Sequence, residues 1–308
     1  MTTKVPYDEF SMFHENAAEY GIQYDGVPVV TREFVTMPDG RRISALKWGT
    51  DSPRVVFLHG GAQNAHTWDT VILALNISAL CIDLPGHGHS DSVAAFDVAA
   101  SPLQHNALDI ATVIRALAPQ ATTVVGMSLG GMTTIALARD HADLVPQMVL
   151  VDITPGVNQE KTKQITDFVN GPATFASFDD LLARTIEFNP TRTVESLRRG
   201  ILHNALQLDD GSWVWRYRRA DAPPLPETDG KLEQPSVASL WDVVSGYTKP
   251  LLFVRGMRQQ SVVSDEDEQE LLKRAPHTQV VHIEEAGHSV QGDTPLELAE
   301  LIRQFGNF

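Results

Sequence analysis

Three observations predict an α/β fold with a mostly parallel sheet. Short apolar runs of strand length, residues 54–58, 77–83, 121–125 and 148–152, alternate with helical patterns. A helix that carries the chain back between strands makes neighbouring strands parallel. Glycine-rich turns follow two of these runs, at His59-Gly60-Gly61 and at Gly126-Met127-Ser128-Leu129-Gly130. After Thr154-Pro155-Gly156 the strand pattern stops and resumes only at residues 250–254, so a mainly helical insertion divides the core. At 308 residues, one large domain with an insertion is ample for a buried core.

Taken in order, residues 6–20 carry Phe10, Phe13, Ala17 and Tyr20 at helical spacing, which predicts an amphipathic lead-in helix docked on the body. A hairpin follows, with residues 32–37 and 41–48 flanking the Pro38-Asp39-Gly40 turn. The parallel strands come next, and residues 279–283 form the last one. The core therefore comprises residues 1–155 and 246–308, with residues 156–245 as a cap. Residues 220–235, rich in proline and acidic side chains, read as a mobile loop.

The G-x-S-x-G run is the pattern of a nucleophilic serine on a tight strand-to-helix turn. A strand pattern precedes it and a helix pattern, from Met132 to Ala138, follows it, as the motif requires. Side chains two residues either side of such a serine would collide with the strand and helix, so both positions are glycine. Ser128 is the candidate nucleophile. The His59-Gly60-Gly61 turn supplies a backbone N–H that can point into a cleft. With the N–H of Leu129 it would form a two-donor oxyanion hole. Gly61 is the candidate first donor, with Ala62 as the alternative.

A third run, Asp83-Leu84-Pro85-Gly86-His87-Gly88-His89-Ser90, reads D-x-P-G-x-G-x-S. In this order and setting the chain resembles the α/β-hydrolases, from about Arg32 to the C-terminus. Phe57-Leu58-His59-Gly60-Gly61, Arg198-Arg199-Gly200, His203-Asn204 and the run from Asp210 to Tyr217 are similar to mycobacterial serine esterases. The resemblance implies an α/β-hydrolase fold: a mostly parallel eight-stranded sheet flanked by helices, with a helical cap. His87-x-His89-x-Asp91 also matches part of a metallo-hydrolase motif. No histidine directly follows Asp91, so these residues read as fixing the loop, and no metal or cofactor is expected.

In this fold the general base is a histidine on the loop after the last strand. His288, in Glu284-Glu285-Ala286-Gly287-His288, stands there, and an imidazole can take the serine proton and return it near neutral pH. His282, inside the strand, reads as a packed or edge residue. Many relatives place the acid after the seventh strand. The loop there, Arg255-Gly256-Met257-Arg258-Gln259-Gln260-Ser261, has no carboxylate, and Asp265 falls at a helix opening, where capping explains it. Another branch places the acid after the sixth strand, which ends here at Asp152. Asp152 is favoured over Asp265.

The chemistry expected is cofactor-independent hydrolysis of a small-molecule carboxylic ester. Lactones, thioesters and C–C bonded diketones are alternatives on the same triad, and a non-catalytic receptor is the alternative of another class. Phe168, Phe175, Phe188, Leu202, Trp213 and Trp215 supply apolar surface for the cap core and for a pocket. Trp68 reads equally as a further candidate wall or as a packed core residue. A net charge of −15 disfavours nonspecific nucleic-acid binding. No apolar segment approaches the ~20 residues of a membrane span. The first residues lack a signal-peptide core, and the single cysteine, Cys81, falls in a strand. A cytoplasmic location is the expectation.

Overall fold

The computed structural model describes residues 4–92, 102–157, 160–217 and 239–308. The chain opens with α1 (Phe13–Tyr20), β1 (Val30–Thr36), β2 (Arg42–Trp48), β3 (Val55–Leu58), α2 (Asp69–Leu75) and β4 (Ala79–Ile82). It continues with α3 (Pro102–Leu117), β5 (Thr123–Met127), α4 (Leu129–Asp140) and β6 (Met148–Val151). Between β6 and the next strand of the main sheet lie α5 (Lys163–Val169), β7 (Thr174–Phe175), α6 (Phe178–Phe188) and α7 (Val194–Asn204). The same segment holds β8 (Ala205–Gln207), β9 (Trp213–Trp215) and α8 (Leu240–Gly246). The chain ends with β10 (Leu251–Gly256), α9 (Asp265–Arg274), β11 (Gln279–Ile283), α10 (Val290–Asp293) and α11 (Pro295–Gly306).

Eight strands form the main sheet in the order β1-β2-β4-β3-β5-β6-β10-β11. Every pair from β4 to β11 is parallel, and β2 alone runs against the others. Both faces are buried, as a parallel sheet requires. Val56 and Leu58 of β3 enter one core with residues of α3, α4, α8 and α9, whereas Val55 and Phe57 enter the other with α1, α2 and α11. This alternation explains why the strands read as continuous apolar runs. A separate small cluster holds Phe175, Leu181, Leu202 and Trp213 of the insertion, joined by Met12. Cys81 is buried in β4. Among the described residues no helix is long and apolar enough to cross a membrane.

Two readings need correction. The lead-in helix begins at Phe13 rather than near Pro6, because Asp8 captures the chain in a turn: its Oδ1 accepts from Phe10 N–H and its carbonyl from Ser11. The insertion, read as lacking strands, holds a small antiparallel sheet in the order β7-β9-β8, because its short strands are too brief to show as apolar runs. Of the two roles open to Trp68 the packed one holds: it is fully buried, with its ring 5.0 Å from that of Phe57. The stretch read as a mobile loop, residues 220–235, lies outside the described residues.

Candidate active site

Ser128 sits between β5 and α4 with φ 51° and ψ −118°. This left-handed conformation is strained for a side-chain-bearing residue, and it persists only when the surroundings over-determine it. The two motif glycines supply that. A Cβ at Gly126 would lie 2.5 Å from the Gly130 carbonyl oxygen, and one at Gly130 would lie 2.1 Å from that of Leu58. Neither backbone atom can yield, so the elbow and β3 approach each other only through glycine. Ser128 is half-buried and faces a cavity of about 300 Å³ at the carboxyl edge of the sheet. In open α/β sheets that edge is where ligands bind.

His288 reaches the same cavity from the loop between β11 and α10. Backbone bonds from Met257 N–H to Ile283 and from Arg258 N–H to Ala286 zip this loop onto the one after β10. Gly256 permits the approach, since a Cβ there would lie 2.1 Å from the Gly287 carbonyl oxygen. The His288 Nδ1 then lies 2.9 Å from Asp152 Oδ2. Asp152 follows β6 and is fully buried. Its Oδ1 accepts from Gly256 N–H (3.0 Å) and the Ser261 hydroxyl (2.6 Å), and its Oδ2 also accepts from Val262 N–H (3.2 Å). Four donors thus converge on one carboxylate and fix its orientation. Since a carboxylate only accepts, His288 carries its proton on Nδ1, leaving Nε2 as a lone pair toward the cavity.

Asp265 lies elsewhere. Its side chain is 77% exposed at the start of α9 and pairs with Arg255 at 2.8 Å. The helix is capped by Ser264, whose partner in the capping box is Asp267. His282 stands on the edge strand and meets Glu268 at 2.8 Å.

The turn after β3 is held by two histidines. His59 donates from Nδ1 to the Gly60 carbonyl (2.7 Å) and accepts at Nε2 from Leu84 N–H (2.9 Å). The Gly60 carbonyl and the Gly61 N–H belong to one trans peptide and point opposite ways, so this bond aims the Gly61 N–H. His87 donates from Nδ1 to the Pro85 carbonyl and accepts at Nε2 from Ala62 N–H at 3.2 Å. Ala62 is therefore already partnered. Gly61 lines the cavity, with nothing within 4 Å of where its Cβ would be. Burial, followed by the neighbouring His87, lowers the pKa of His59 to about 3, and burial also lowers that of His87.

His87, His89 and Asp91 do not converge. Asp91 accepts from Arg42 N–H, and the His89 backbone is tied to Asp83. Among the described residues the side chains that come together as potential ligands are His66, Asp69 and His203. The local sequence carries no sign of this cluster, because His203 arrives from the insertion. The His66 and His203 rings stack at 3.8 Å and 13°. An ion bound by two imidazoles must lie near both ring planes, which two stacked parallel rings do not allow. The arrangement fits protons better: burial opposes the charge on His66, but Asp69 and Glu9 raise its pKa to about 9. His203 is pushed well below its ordinary value by burial and by the charge on His66.

The α/β-hydrolase model, described as the alpha/beta hydrolase family, matches residues 55–301. The chain belongs to the alpha/beta hydrolase family. It is 45% identical over 303 residues to esterase Rv0045c of Mycobacterium tuberculosis, covering 96% of this chain and 95% of that protein. A crystal structure of that esterase superposes with TM-score 0.79 over 99% of this chain and 100% of that one. The 3-hydroxybutyrate-oligomer hydrolase of Cupriavidus necator is 26% identical over 268 residues, covering 84% of this chain and 90% of that protein. A structure of E-2-(acetamidomethylene)succinate hydrolase, at 21% identity and TM-score 0.74 over 91% of this chain and 100% of that one, shares the hydrolase fold.

Proposed function

We propose that this α/β-hydrolase is a serine esterase that cleaves small carboxylic esters through an acyl-enzyme. The observation that carries the reading is the 2.9 Å contact of His288 Nδ1 with Asp152, made beside the strained Ser128 in one cavity. The likeness to esterase Rv0045c supports the substrate class. Ser128 Oγ attacks the ester carbonyl as His288 Nε2 takes its proton. The tetrahedral oxyanion is held by the N–H groups of Gly61 and Leu129. His288 returns the proton to the departing alcohol, and water, activated by the same imidazole, hydrolyses the acyl group. Asp152 holds the tautomer and stabilises the imidazolium. Nucleophile, base and oxyanion donors all come from the chain.

Residues 160–217 of the insertion act as the cap, whereas α8, inside the expected 156–245, packs into the core of the main sheet. Phe168, Phe188 and Trp215 from this segment line the cavity and supply its apolar surface, whereas Phe175, Leu202 and Trp213 build the cap's own core. The test is Ser128→Ala. It should abolish labelling by a fluorophosphonate and lower kcat by about 10⁴–10⁶. Near-wild-type turnover of an activated ester in this variant overturns the serine mechanism.

A further inference from the structure

We propose that Asn204, at the end of cap helix α7, is a positioning residue for the oxyanion loop, acting with His87. The proposal rests on the reading of Gly61 as an oxyanion donor. Two consecutive glycines leave that loop with many accessible backbone states. Its next residue, Ala62, is nonetheless held at φ 60°, a left-handed conformation that a residue with a side chain adopts only under constraint. Both polar groups of Ala62 are fastened. The N–H donates to His87 Nε2 at 3.2 Å, and the carbonyl accepts from Asn204 Nδ2 at 2.6 Å.

The two anchors come from different parts of the molecule. His87 belongs to the loop after β4, inside the core, while Asn204 descends from the cap. The Asn204 carboxamide uses both of its ends. Its Oδ1 accepts from Asn64 Nδ2 (3.1 Å), which also donates to the His203 carbonyl (3.1 Å). Asn64 Oδ1 in turn accepts from His66 N–H (2.9 Å). Only a side chain with a donor and an acceptor side by side can join Asn64 to Ala62 in this way. An aspartate keeps the shape and loses the donor, and it sets a negative charge against the Ala62 carbonyl.

Helix α7 is itself seated firmly. Arg198 pairs with Glu15, and Arg199 and Thr193 bond to Glu19, all from α1. The helix also lines the cavity through Leu197 and Ile201. The substrate wall and the oxyanion loop are thus joined through one side chain. The cap sets the geometry in which the transition state is held as well as shaping the pocket.

The test compares a trifluoromethyl ketone with its methyl ketone counterpart. The first forms a hemiketal oxyanion on the nucleophilic serine, and the second reports ground-state binding. Asn204→Asp should lower kcat on a p-nitrophenyl ester and the trifluoromethyl ketone affinity together, by about 10- to 100-fold. KM and methyl ketone affinity should stay within about twofold. His87→Phe, on the other side of Ala62 and outside the cap, keeps a ring, removes the acceptor and should give the same signature. The double variant should lose less than the product of the two, because both act on one loop.

Unchanged kcat and trifluoromethyl ketone affinity in a folded Asn204→Asp protein overturns the proposal. So does a rise in KM alone with the ratio of the two ketones unchanged, which would make Asn204 a pocket wall. If Asn204→Asp does not fold by circular dichroism, Asn204→Leu, which keeps the shape without donor or acceptor, and His87→Phe decide on the same readouts. Failure of the proposed function looks different: the wild-type protein would then resist fluorophosphonate labelling and Ser128→Ala would keep its turnover.

Discussion

Replacing Asp152 by asparagine isolates the acid's task from its bulk. In the native site Oδ1 receives Gly256 N–H and the Ser261 hydroxyl, while Oδ2 receives Val262 N–H and the His288 imidazole. An amide has one accepting end. If that end faces Gly256 and Ser261, the NH₂ faces Val262 N–H and His288. The imidazole can then bond only by accepting at Nδ1, which moves its proton to Nε2, the nitrogen that must receive the serine proton. The opposite flip sets the NH₂ against Gly256 N–H instead. The wrong tautomer costs up to ~10⁴ in kcat, about 5 kcal/mol of barrier. The lost charge-assisted bonds cost roughly 1.5–3 kcal/mol of stability, less than a domain's reserve. The assay is turnover of one activated ester by wild type, Asp152→Asn and Asp265→Asn, with folding checked by circular dichroism. Asp265→Asn should keep its activity and lose at most about 1 kcal/mol, since its partner Arg255 retains Glu268. A folded Asp152→Asn protein with more than a tenth of wild-type kcat refutes the argument, and a crippled Asp265→Asn protein moves the acid to α9.

Stability should fall on both sides of about pH 6.5. His59 and His203 are buried and His87 is half-buried, and desolvation lowers the pKa of all three, while the unfolded chain binds their protons below 6.5. Each therefore removes up to about 1.4 kcal/mol per pH unit as the pH drops. His66 works in reverse: its stabilisation is complete below 6.5 and is lost as pH rises through about 9. Urea unfolding from pH 5 to 9 checks this, and a flat profile refutes it. Gly130→Ala should cost about 2 kcal/mol or more and most of the turnover, because its Cβ would lie 2.1 Å from the Leu58 carbonyl oxygen. Unfolding and activity assays on that variant, with wild-type values as the contrary outcome, test the close approach.

Legibility followed locality. Ser128 and the glycines around it share one turn, so the strain and the collisions it must avoid are written within a few residues. The strands were legible for a similar reason, since a sheet buried on both faces needs continuous apolar runs. The start of α1 was not, because the turn made by Asp8 interrupts a helical spacing of apolar residues that continues across it. Trp68 could be read either way from sequence, as its burial against Phe57 depends on β3. The Asn204–Ala62 bond and the His66–His203 stack join residues more than a hundred positions apart. No period or motif encodes such a meeting.

The proposed acid, Asp152, is sought at β6 because the loop after β10 offers none. The loop after β10 lacks a carboxylate and is built as a set of donors: Gly256 N–H, Ser261 Oγ and Val262 N–H all turn toward β6. A carboxylate on that loop would add a second negative charge beside a buried one, which low local dielectric penalises. Asp152 meanwhile is held at φ 47°, a conformation that few side chains adopt. Its four bonds offset that strain. A strained, fully buried aspartate whose whole acceptor capacity is filled has little freedom to move as charge develops on His288. That rigidity suits a group meant to orient an imidazole. It also means that Ser261→Ala, which removes the shortest of the four bonds, should weaken Asp152's hold without altering an atom of the proposed triad.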